Sequence, residues 1–389
     1  MAAHPASPGA GAPGPAPVDL ALMEEAARQA VGEMAYAYYA GGAEHERLLE
    51  ENVGAWARWR LHPRVLAGVE RVSTATTVLG APVDLPVLLA PTAIQGLAHP
   101  EGEVASARGA AAAGAGMVLS SLATRSLEDV AAAAPGAPRW MQVYVLRDRR
   151  HTEALVDRAV AGGYRALVLT ADAPVPGLRL RELRGGVHLP DDLALPNMVA
   201  ATERAHEGGF MAVVSEELDP GLTVDAVGWL AGRSGLPVVV KGVLRADDAA
   251  RCVDAGAAAV VVSNHGARQL DDAPATADVL AEVVDTVGGR AEVYVDGGIR
   301  RAGDVAKALA LGARAVLVGR PALWALATGG AEGVASLLRW FEAELRRVMA
   351  LCGAPDVDRL DRSLVRPGPG AWPGPGAWPG RGPGPGAAP

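Results

Sequence analysis

The sequence has few of several residue types, and each shortage narrows the class of protein it can be. Two cysteines, Cys252 and Cys352, occur in 389 residues, which excludes a framework of several disulfides and favours a reducing compartment. The 36 basic residues include only two lysines, and 44 acidic residues bring the formal charge to −8. Since the basic residues form no block, binding to nucleic acid by neutralising its phosphates is not expected.

Long apolar runs are also missing. No run reaches the ~18 residues that a membrane span needs, and the first residues lack the charged and apolar blocks of a signal peptide. The histidines and acidic residues show no zinc-binding spacing, and no G-x-G-x-x-G follows an early strand. We therefore expect a cytoplasmic protein with no membrane partner, no metal and no Rossmann dinucleotide site.

The composition divides the chain into a central part and two tails. Residues 1–17 and 365–389 are rich in proline, glycine and alanine, and the hexamer PGPGAW occurs twice in the second segment. Such segments bury too little apolar surface to offset the entropy lost on ordering. We predict disordered tails at 1–17 and 365–389 and one folded domain over 18–364.

Eight short apolar runs alternate with alanine-rich helical segments in the central part. Because the runs are almost continuously apolar, they indicate parallel strands covered on both faces. Eight strand–helix repeats predict an α/β fold, a single (β/α)8 TIM barrel, with helices before it at 18–70 and a long loop at 173–221 after the fourth strand. The eight runs are Pro86–Ala93, Ala115–Ser121, Arg139–Val145, Arg165–Asp172, Pro237–Gly242, Ala258–His265, Glu292–Gly297 and Arg314–Arg320.

Polar residues stand where these runs end, and TIM barrels place their active sites at the carboxyl ends of the strands. His265, within SNHGARQL, is a candidate general base because the pKa of histidine lies near neutrality, and Asp172 could stabilise the imidazolium. Lys241 admits two interpretations, a Schiff-base lysine or a fixed positive charge beside a cofactor. Glycine–arginine turns after the seventh and eighth strands, at Arg300 and Arg320, predict a phosphate site.

Taken together, these motifs resemble those of the FMN-dependent 2-hydroxy-acid oxidase and dehydrogenase family, which includes glycolate oxidase, lactate oxidase and mandelate dehydrogenase. The resemblance extends from about Leu20 to about Cys352. It implies a TIM barrel that binds FMN. The matching motifs are YYAGGAE, LAPTA, HPEGE, LSSLAT, QVYV, LTAD, VKGV, SNHGARQLD and DGGIRR.

The resemblance implies a role for each matching residue. His265 would be the catalytic base with Asp172 as its electrostatic partner, and Lys241 would face the N1–C2 edge of the flavin. Tyr144 would serve both catalysis and substrate binding. The other substrate contacts would be Tyr38, Leu122, Arg179 and Arg268. The other cofactor contacts would be Pro91, Thr92, Ala93, Ser120, Gln142, Thr170, Ser263, Asp296, Gly298, Arg300, Gly319 and Arg320.

The implied reaction is the oxidation of an (S)-2-hydroxy acid to the 2-oxo acid, in which His265 takes a proton and FMN takes two electrons. Both a carbanion and a hydride route remain open. The haem domain and the apolar loop segment of some dehydrogenase relatives are missing, so we expect oxygen as acceptor and hydrogen peroxide as product. The alternative is a dehydrogenase with another acceptor. Relatives are commonly homotetramers or octamers, and we expect the same here.

Two positions depart from the family pattern. Leu122 replaces the tryptophan that many glycolate-preferring relatives carry, which predicts room for an aryl substrate such as mandelate or 4-hydroxymandelate, or for a medium-chain acid. Lactate and glycolate are the alternatives. Leu178 stands where many relatives have a second arginine directly before the one at Arg179.

Two other functions compete with this interpretation. A flavin-free barrel enzyme that uses Lys241 on phosphorylated sugars would share the phosphate turns but would leave Tyr38, Tyr144 and SNHGARQLD unexplained. A non-catalytic flavin-binding protein would not require His265, Asp172 and Arg268 together.

Overall fold

The computed structural model describes residues 18–198 and 216–369. The chain opens with an extension that precedes the barrel. Its first helix is capped by Asp19, whose carboxylate accepts the N–H groups of Ala21 and Leu22. The helix is interrupted at Gly32 (φ 77°, ψ 168°), a conformation that glycine adopts at little cost. The elements of the extension are α1 (Leu20–Ala40), α2 (Arg47–Arg58), β1 (Trp59–Leu61), β2 (Thr76–Val78) and β3 (Ala81–Val83).

Eight parallel strands then close a barrel, in which each strand pairs with its neighbours in chain order and the last pairs with the first. This is the (β/α)8 architecture that the apolar runs predict. The strands are β4 (Val87–Leu89), β5 (Met117–Leu119), β6 (Arg139–Val143), β7 (Ala166–Thr170), β8 (Val238–Val243), β9 (Ala259–Val262), β10 (Glu292–Val295) and β11 (Ala315–Val318).

Apolar residues occupy both faces of these strands because both faces are covered. Alternate side chains fill the barrel interior, where the rings of Trp140 and Tyr294 meet edge to face at 5.3 Å. Their neighbours along each strand, such as Val238 and Val240 of β8, belong to the core that also contains the helices. A strand buried on both sides leaves polar chemistry to its ends, which is where the candidate site lies.

The helices surround the barrel. They are α3 (Gly102–Ala112), α4 (Leu127–Ala133), α5 (Arg149–Ala161), α6 (Leu180–Arg184), α7 (Asp225–Ser234), α8 (Ala246–Asp254), α9 (Thr276–Val287), α10 (Ala302–Ala310) and α11 (Arg320–Cys352). The longest, α11, packs extensively against α3 and α1. In the part of the chain that the structure describes, no helix is both long and apolar enough to cross a bilayer.

The described residues differ from the predicted boundaries at two places. The strand β12 (Val365–Pro367) pairs antiparallel with β1, so regular structure extends three residues beyond the predicted boundary at 364. The predicted loop at 173–221 contains the short helix α6 and, at 199–215, residues outside the described part. The predicted tails at 1–17 and from 370 onward also lie outside the described residues and stay predictions.

Candidate active site

One cavity at the carboxyl ends of the barrel strands collects the predicted site. Every site residue that the sequence predicts lines this cavity except Asp172 and Ser263. These two form hydrogen bonds with the lining residues His265 and Lys241, respectively. The N-terminal extension contributes to the wall because Tyr38, near the end of α1, lines the cavity too. Residues separated by more than two hundred positions in the chain therefore share one site.

The loop that follows β9 is held in an unusual backbone conformation. His265 has φ 58° and Ala267 has φ 63°, in the left-handed region, which non-glycine residues rarely adopt. Asn264 anchors this loop to α2 by two reciprocal amide hydrogen bonds with Asn52, of 3.0 and 2.7 Å. The extension and the loop that carries His265 are thus fixed to each other.

His265 and Asp172 form a pair. The distance from His265 Nδ1 to Asp172 Oδ1 is 2.9 Å, and both side chains are largely buried. Burial lowers the pKa of His265, and the positive charges of Lys241 and Arg179 lower it further, against the opposing effect of Asp172. The imidazole is therefore neutral near pH 7, with Nδ1 committed to the carboxylate.

Asp172 stays ionised although it is buried. Burial acts to raise its pKa, but His265 and Lys241 outweigh this and leave the pKa below its usual value. Its other oxygen, Oδ2, is buried and has no hydrogen-bond partner among the described residues. A Cβ on Gly242 (φ 107°) would lie only 2.5 Å from Asp172 Cβ, so the carboxylate requires glycine on the neighbouring strand β8.

Lys241 is buried in β8, two residues before the strand ends. Its ammonium donates to Ser263 Oγ at 2.9 Å and forms an ion pair of 3.2 Å with Asp296 Oδ2. Burial acts to lower the pKa of Lys241, but Asp296 and Asp172 more than compensate, and the pKa is raised. The structure thus places a fixed positive charge in the cavity wall. Oδ1 of Asp296 is buried without a partner among the described residues.

Gln142 organises the strand ends on the other side of the cavity. Its amide donates to Thr170 Oγ1 at 3.0 Å, and its Oε1 accepts the N–H of Ser121 at 2.9 Å. Glu103, wholly buried, joins the two adjacent loops because it accepts the N–H groups of Gln95 and Thr124. These bonds hold the loops after β4 and β5 at fixed positions against the cavity.

Two arginines, Arg300 after β10 and Arg320 after β11, line the cavity at the end where the sequence predicts a phosphate site. Gly298 (φ 75°) lies so close to α2 that a Cβ there would be 2.0 Å from the carbonyl oxygen of Asn52. Arg320 donates to the carbonyl oxygens of Tyr39, Gly266 and Gly41 at 2.8 to 3.0 Å. Burial lowers its pKa to about 9, and the charges of Arg268 and Arg300 add to that effect.

The charge of this end is only partly compensated, by the more distant Glu24, Glu46 and Asp304. Among the described residues, no carboxylate comes within 4.0 Å of the guanidinium nitrogens of Arg300 or Arg320. Burial also lowers the pKa of Arg300. Two partly buried cations without a paired anion suit a ligand that carries negative charge itself.

A second arginine pair, Arg179 and Arg268, lines the cavity together with Tyr38 and Tyr144. Arg268 donates to the carbonyl oxygens of Tyr38 and Gly41 at 2.7 and 2.9 Å, and its guanidinium lies 5.1 Å from the centre of the Tyr38 ring. Burial raises the pKa of Tyr38 and of Tyr144 to about 12. Both phenols stay protonated at neutral pH and can donate hydrogen bonds.

Residues 27–367 match the protein family described as FMN-dependent dehydrogenase. The chain belongs to this family. An L-lactate oxidase of Nostoc sp. is 48% identical over 357 residues, which cover 90% of this chain and 98% of the relative. The 2-Hydroxyacid oxidase 1 of Homo sapiens is 43% identical over 353 residues, 89% of this chain and 95% of the relative. The crystal structure of a Mandelate oxidase with (S)-4-hydroxymandelic acid superposes with a TM-score of 0.86 at 42% identity and covers 90% of this chain and 99% of that one.

Membership of the FMN-dependent dehydrogenase family confirms three predictions made from the sequence: the TIM barrel, FMN as cofactor and the class of 2-hydroxy-acid oxidase. The cavity fits this cofactor. The unbalanced cations Arg300 and Arg320 suit its phosphate, and the unpartnered Oδ1 of Asp296 suits a hydroxyl donor of its ribityl chain.

Sequence reasoning missed several residues at the site. Glu182 bonds to both Arg179 and Arg268, with Oε1 distances of 3.1 and 2.7 Å. Tyr39 and Gly266 line the cavity beside their predicted neighbours. Arg179, the residue before α6, and Glu182 within it are three positions apart, and this spacing was the available indication, but many surface pairs share it.

Proposed function

We propose that this protein oxidises an (S)-2-hydroxy acid to the 2-oxo acid with oxygen as the electron acceptor, giving hydrogen peroxide. The observation that carries the proposal is the 2.9 Å pair of His265 and Asp172 at a cavity whose wall also holds Arg179 and Arg268. A base and an anion-binding pair in one cavity are what the oxidation of a 2-hydroxy carboxylate requires.

His265 is the proposed base. Since its Nδ1 contacts Asp172, Nε2 is the nitrogen left to take a proton from the substrate. The buried carboxylate of Asp172 then stabilises the imidazolium that forms. The lowered pKa of His265 keeps it unprotonated and competent at neutral pH.

Arg179 and Arg268 are the proposed ligands of the substrate carboxylate. Guanidinium–carboxylate hydrogen bonds are charge-assisted and directional, so the pair orients the substrate as well as binding it. Tyr38 and Tyr144, which stay protonated, would donate to the carboxylate and to the 2-hydroxyl region. Together these groups hold the substrate carbon against the base.

FMN, when bound, accepts the two electrons of the oxidation and passes them on to the acceptor. We assign its phosphate to the loops after β10 and β11 and its ring system to strand-end residues around Lys241. The ammonium of Lys241 would stabilise negative charge on the reduced flavin. The phosphate ligands would be Gly298, Arg300, Gly319 and Arg320, and the other contacts Pro91, Thr92, Ala93, Ser120, Gln142, Thr170, Ser263 and Asp296.

The side chain of the substrate would meet an apolar wall. Leu122 lines the cavity and belongs to an apolar cluster that includes Ile94, Leu189, Leu323 and Trp324. Such a wall favours an aryl substrate, mandelate or 4-hydroxymandelate, or a medium-chain acid. The similarity to an L-lactate oxidase favours lactate as the second candidate, with glycolate or another electron acceptor as further alternatives.

A panel assay for peroxide tests this proposal. Purified protein is given glycolate and the single enantiomers of lactate, 2-hydroxyoctanoate and mandelate, and we expect the highest kcat/KM for (S)-mandelate. A clear preference for glycolate would contradict the argument from Leu122. Unchanged turnover with a dye under anaerobic conditions would contradict oxygen as the preferred acceptor.

The base is tested by His265→Ala. We expect it to retain its flavin colour and to lose turnover by about 10²- to 10⁴-fold, the usual contribution of a general base. Bleaching of the flavin on anaerobic addition of substrate would slow by the same factor. Turnover equal to that of the unsubstituted protein would remove the assignment.

The homotetramer or octamer stays a prediction. Light scattering of the purified protein measures the oligomeric state directly.

A further inference from the structure

The turn that carries His265 has an unfavourable backbone conformation. His265, Gly266 and Ala267 are consecutive residues with φ of 58°, 63° and 63°, and this left-handed region is costly for the two that are not glycine. A turn of this kind persists only when its surroundings hold it in place. The N–H of His265 donates to Ser263 Oγ at 3.1 Å, and the N–H of Ala267 donates to Asn264 Oδ1 at 3.2 Å. These bonds hold the two ends of the turn.

Arg320 holds the middle of the same turn. It is the first residue of α11, and three different nitrogens of its side chain donate hydrogen bonds. Nη1 donates to the carbonyl oxygen of Gly266 at 2.9 Å, Nε to that of Tyr39 at 3.0 Å and Nη2 to that of Gly41 at 2.8 Å. A Cβ on Gly266 would lie 3.2 Å from Nη1, so the guanidinium is packed directly against the turn. One side chain therefore joins the turn to the end of α1.

A guanidinium can bind this turn and a phosphate at the same time. It carries five N–H groups in fixed directions within one plane. The carbonyl oxygens take three of these groups, which leaves two for an anion in the cavity that Arg320 lines. Lysine would keep the positive charge, but its ammonium has no planar fork with which to reach three carbonyl oxygens. The charge of Arg320 and its shape can therefore be tested separately.

We propose that Arg320 is a positioning residue for the base: it holds the turn 265–267 to the end of α1 and so keeps His265 against Asp172, 2.9 Å away, and directed at the substrate. This inference rests on the proposed function, because it takes His265 to be the base. It gives Arg320 a second role, in proton transfer, besides the phosphate contact proposed above.

Arg320→Lys tests this role. The measured quantity is the rate constant of flavin reduction in anaerobic stopped-flow experiments, with FMN and the preferred 2-hydroxy acid both at saturation. We expect this rate constant to fall by about 10- to 100-fold, because displacement of a reacting group by about 1 Å has an effect of this size. Flavin absorbance shows that the variant is loaded, so that a slower reaction is not a loss of cofactor.

Arg139→Lys is the matched control. Arg139 is also buried, it donates to the carbonyl oxygens of Ala134 and Ala137, and it is not among the described residues that line the cavity. It begins β6, at the end of the barrel opposite the site. Thermal melting measures the stability that each variant loses. Arg139→Lys should keep the rate constant within about twofold of the unsubstituted value even where its melting temperature falls.

A double variant shows whether Arg320 acts through the base. In a protein that already carries His265→Ala, we expect Arg320→Lys to lower the remaining rate constant by less than about twofold, since there is no base left to position. A displaced flavin would instead slow the reaction by the same factor with and without His265.

Gly266→Ala disturbs the same contact while both cations of the phosphate end stay in place. The added Cβ would lie 3.2 Å from Nη1 of Arg320, at a position where φ is 63°. We expect the rate constant to fall by about tenfold and the Kd for FMN to stay within about threefold of the unsubstituted value. This variant decides the question if Arg320→Lys does not load with flavin.

The outcomes separate this role from the proposed function. A rate constant in Arg320→Lys within about threefold of the unsubstituted value would overturn the positioning role, and so would an equal loss in the His265→Ala background or in Arg139→Lys. If Arg320→Lys cannot be loaded, an unchanged rate constant in Gly266→Ala overturns it. Failure of the unsubstituted, flavin-loaded protein to reduce its flavin with any 2-hydroxy acid would count against the proposed function itself.

Discussion

The two arginine pairs that line the cavity differ in what neutralises them. Arg179 and Arg268 share the carboxylate of Glu182 at 3.1 and 2.7 Å. Arg300 and Arg320 have no carboxylate within 4.0 Å among the described residues, and the pKa of Arg320 is lowered to about 9 by burial and by its cationic neighbours. A pair of buried cations without a paired anion suits an anionic ligand such as a phosphate monoester.

The largest effect is expected when a guanidinium is removed from Arg179 and Arg268, the pair that Glu182 contacts. Arg268→Gln takes away one charge-assisted contact to the substrate, typically ~1.5–3 kcal/mol, and leaves Glu182 with less compensation for its buried charge. We expect kcat/KM for the preferred 2-hydroxy acid to fall by about 10³-fold, with flavin content close to normal. Steady-state peroxide rates and the ratio of flavin to protein absorbance measure the two quantities. Loss of flavin with an unchanged KM would contradict the assignment.

A smaller effect is expected at Arg300 and Arg320, the pair without an ion-paired carboxylate among the described residues. Arg300→Gln removes one of the two cations proposed for the phosphate, and we expect the Kd for FMN to rise by about 10- to 100-fold, the contribution of one charge-assisted contact. Quenching of flavin fluorescence on titration with flavin-free protein gives this value. In the same titration Arg268→Gln should change the Kd by less than about threefold. Equal losses in the two variants would show that the pairs serve one ligand.

The smallest effect concerns the base. The charge of Arg179 is among the causes that lower the pKa of His265, after burial and Lys241. Since the base acts unprotonated, kcat/KM falls as the pH drops through that pKa, which lies below the ordinary 6.5. Arg179→Gln removes a positive charge that disfavours the imidazolium, so the pKa rises and the acid limb moves to higher pH by less than about one unit.

The pH profile of kcat/KM checks this shift. Arg300→Gln is the control because Arg300 is not among the groups with the largest effects on the pKa of His265, and its acid limb should keep the original position. A limb that moves to lower pH in Arg179→Gln would show that the arginine acts on the base with the opposite sign.

The barrel and most of its site could be predicted from the sequence because their determinants are local. A strand buried on both faces must be apolar throughout, so the run of valines before Lys241 marks both the strand and its polar end. The carboxyl ends of adjacent parallel strands lie at the same edge of the barrel. This rule alone predicts that the motif around His265 and the glycine–arginine turns lie close together at that edge.

The features that could not be predicted depend on contacts between distant segments. Glu182 bonds to Arg268 across 86 positions, and nothing in LRELR distinguishes an acid that turns inward from one that faces water. Val365–Pro367 resembles a disordered tail in composition, yet it forms β12 because β1 offers an edge with which to pair. The Asn52–Asn264 bonds likewise follow from how α2 packs on the barrel.

One carbonyl group, at the end of α1, is shared between the two halves of the cavity. The oxygen of Gly41 accepts from Arg268 at 2.9 Å and from Arg320 at 2.8 Å. We therefore expect loading of the prosthetic group and capture of the hydroxy acid to be thermodynamically linked, because movement of one guanidinium would displace an acceptor that the other uses. By reciprocity, a non-reactive analogue of the acid should change the Kd for the flavin by the same factor by which the flavin changes the Kd for the analogue.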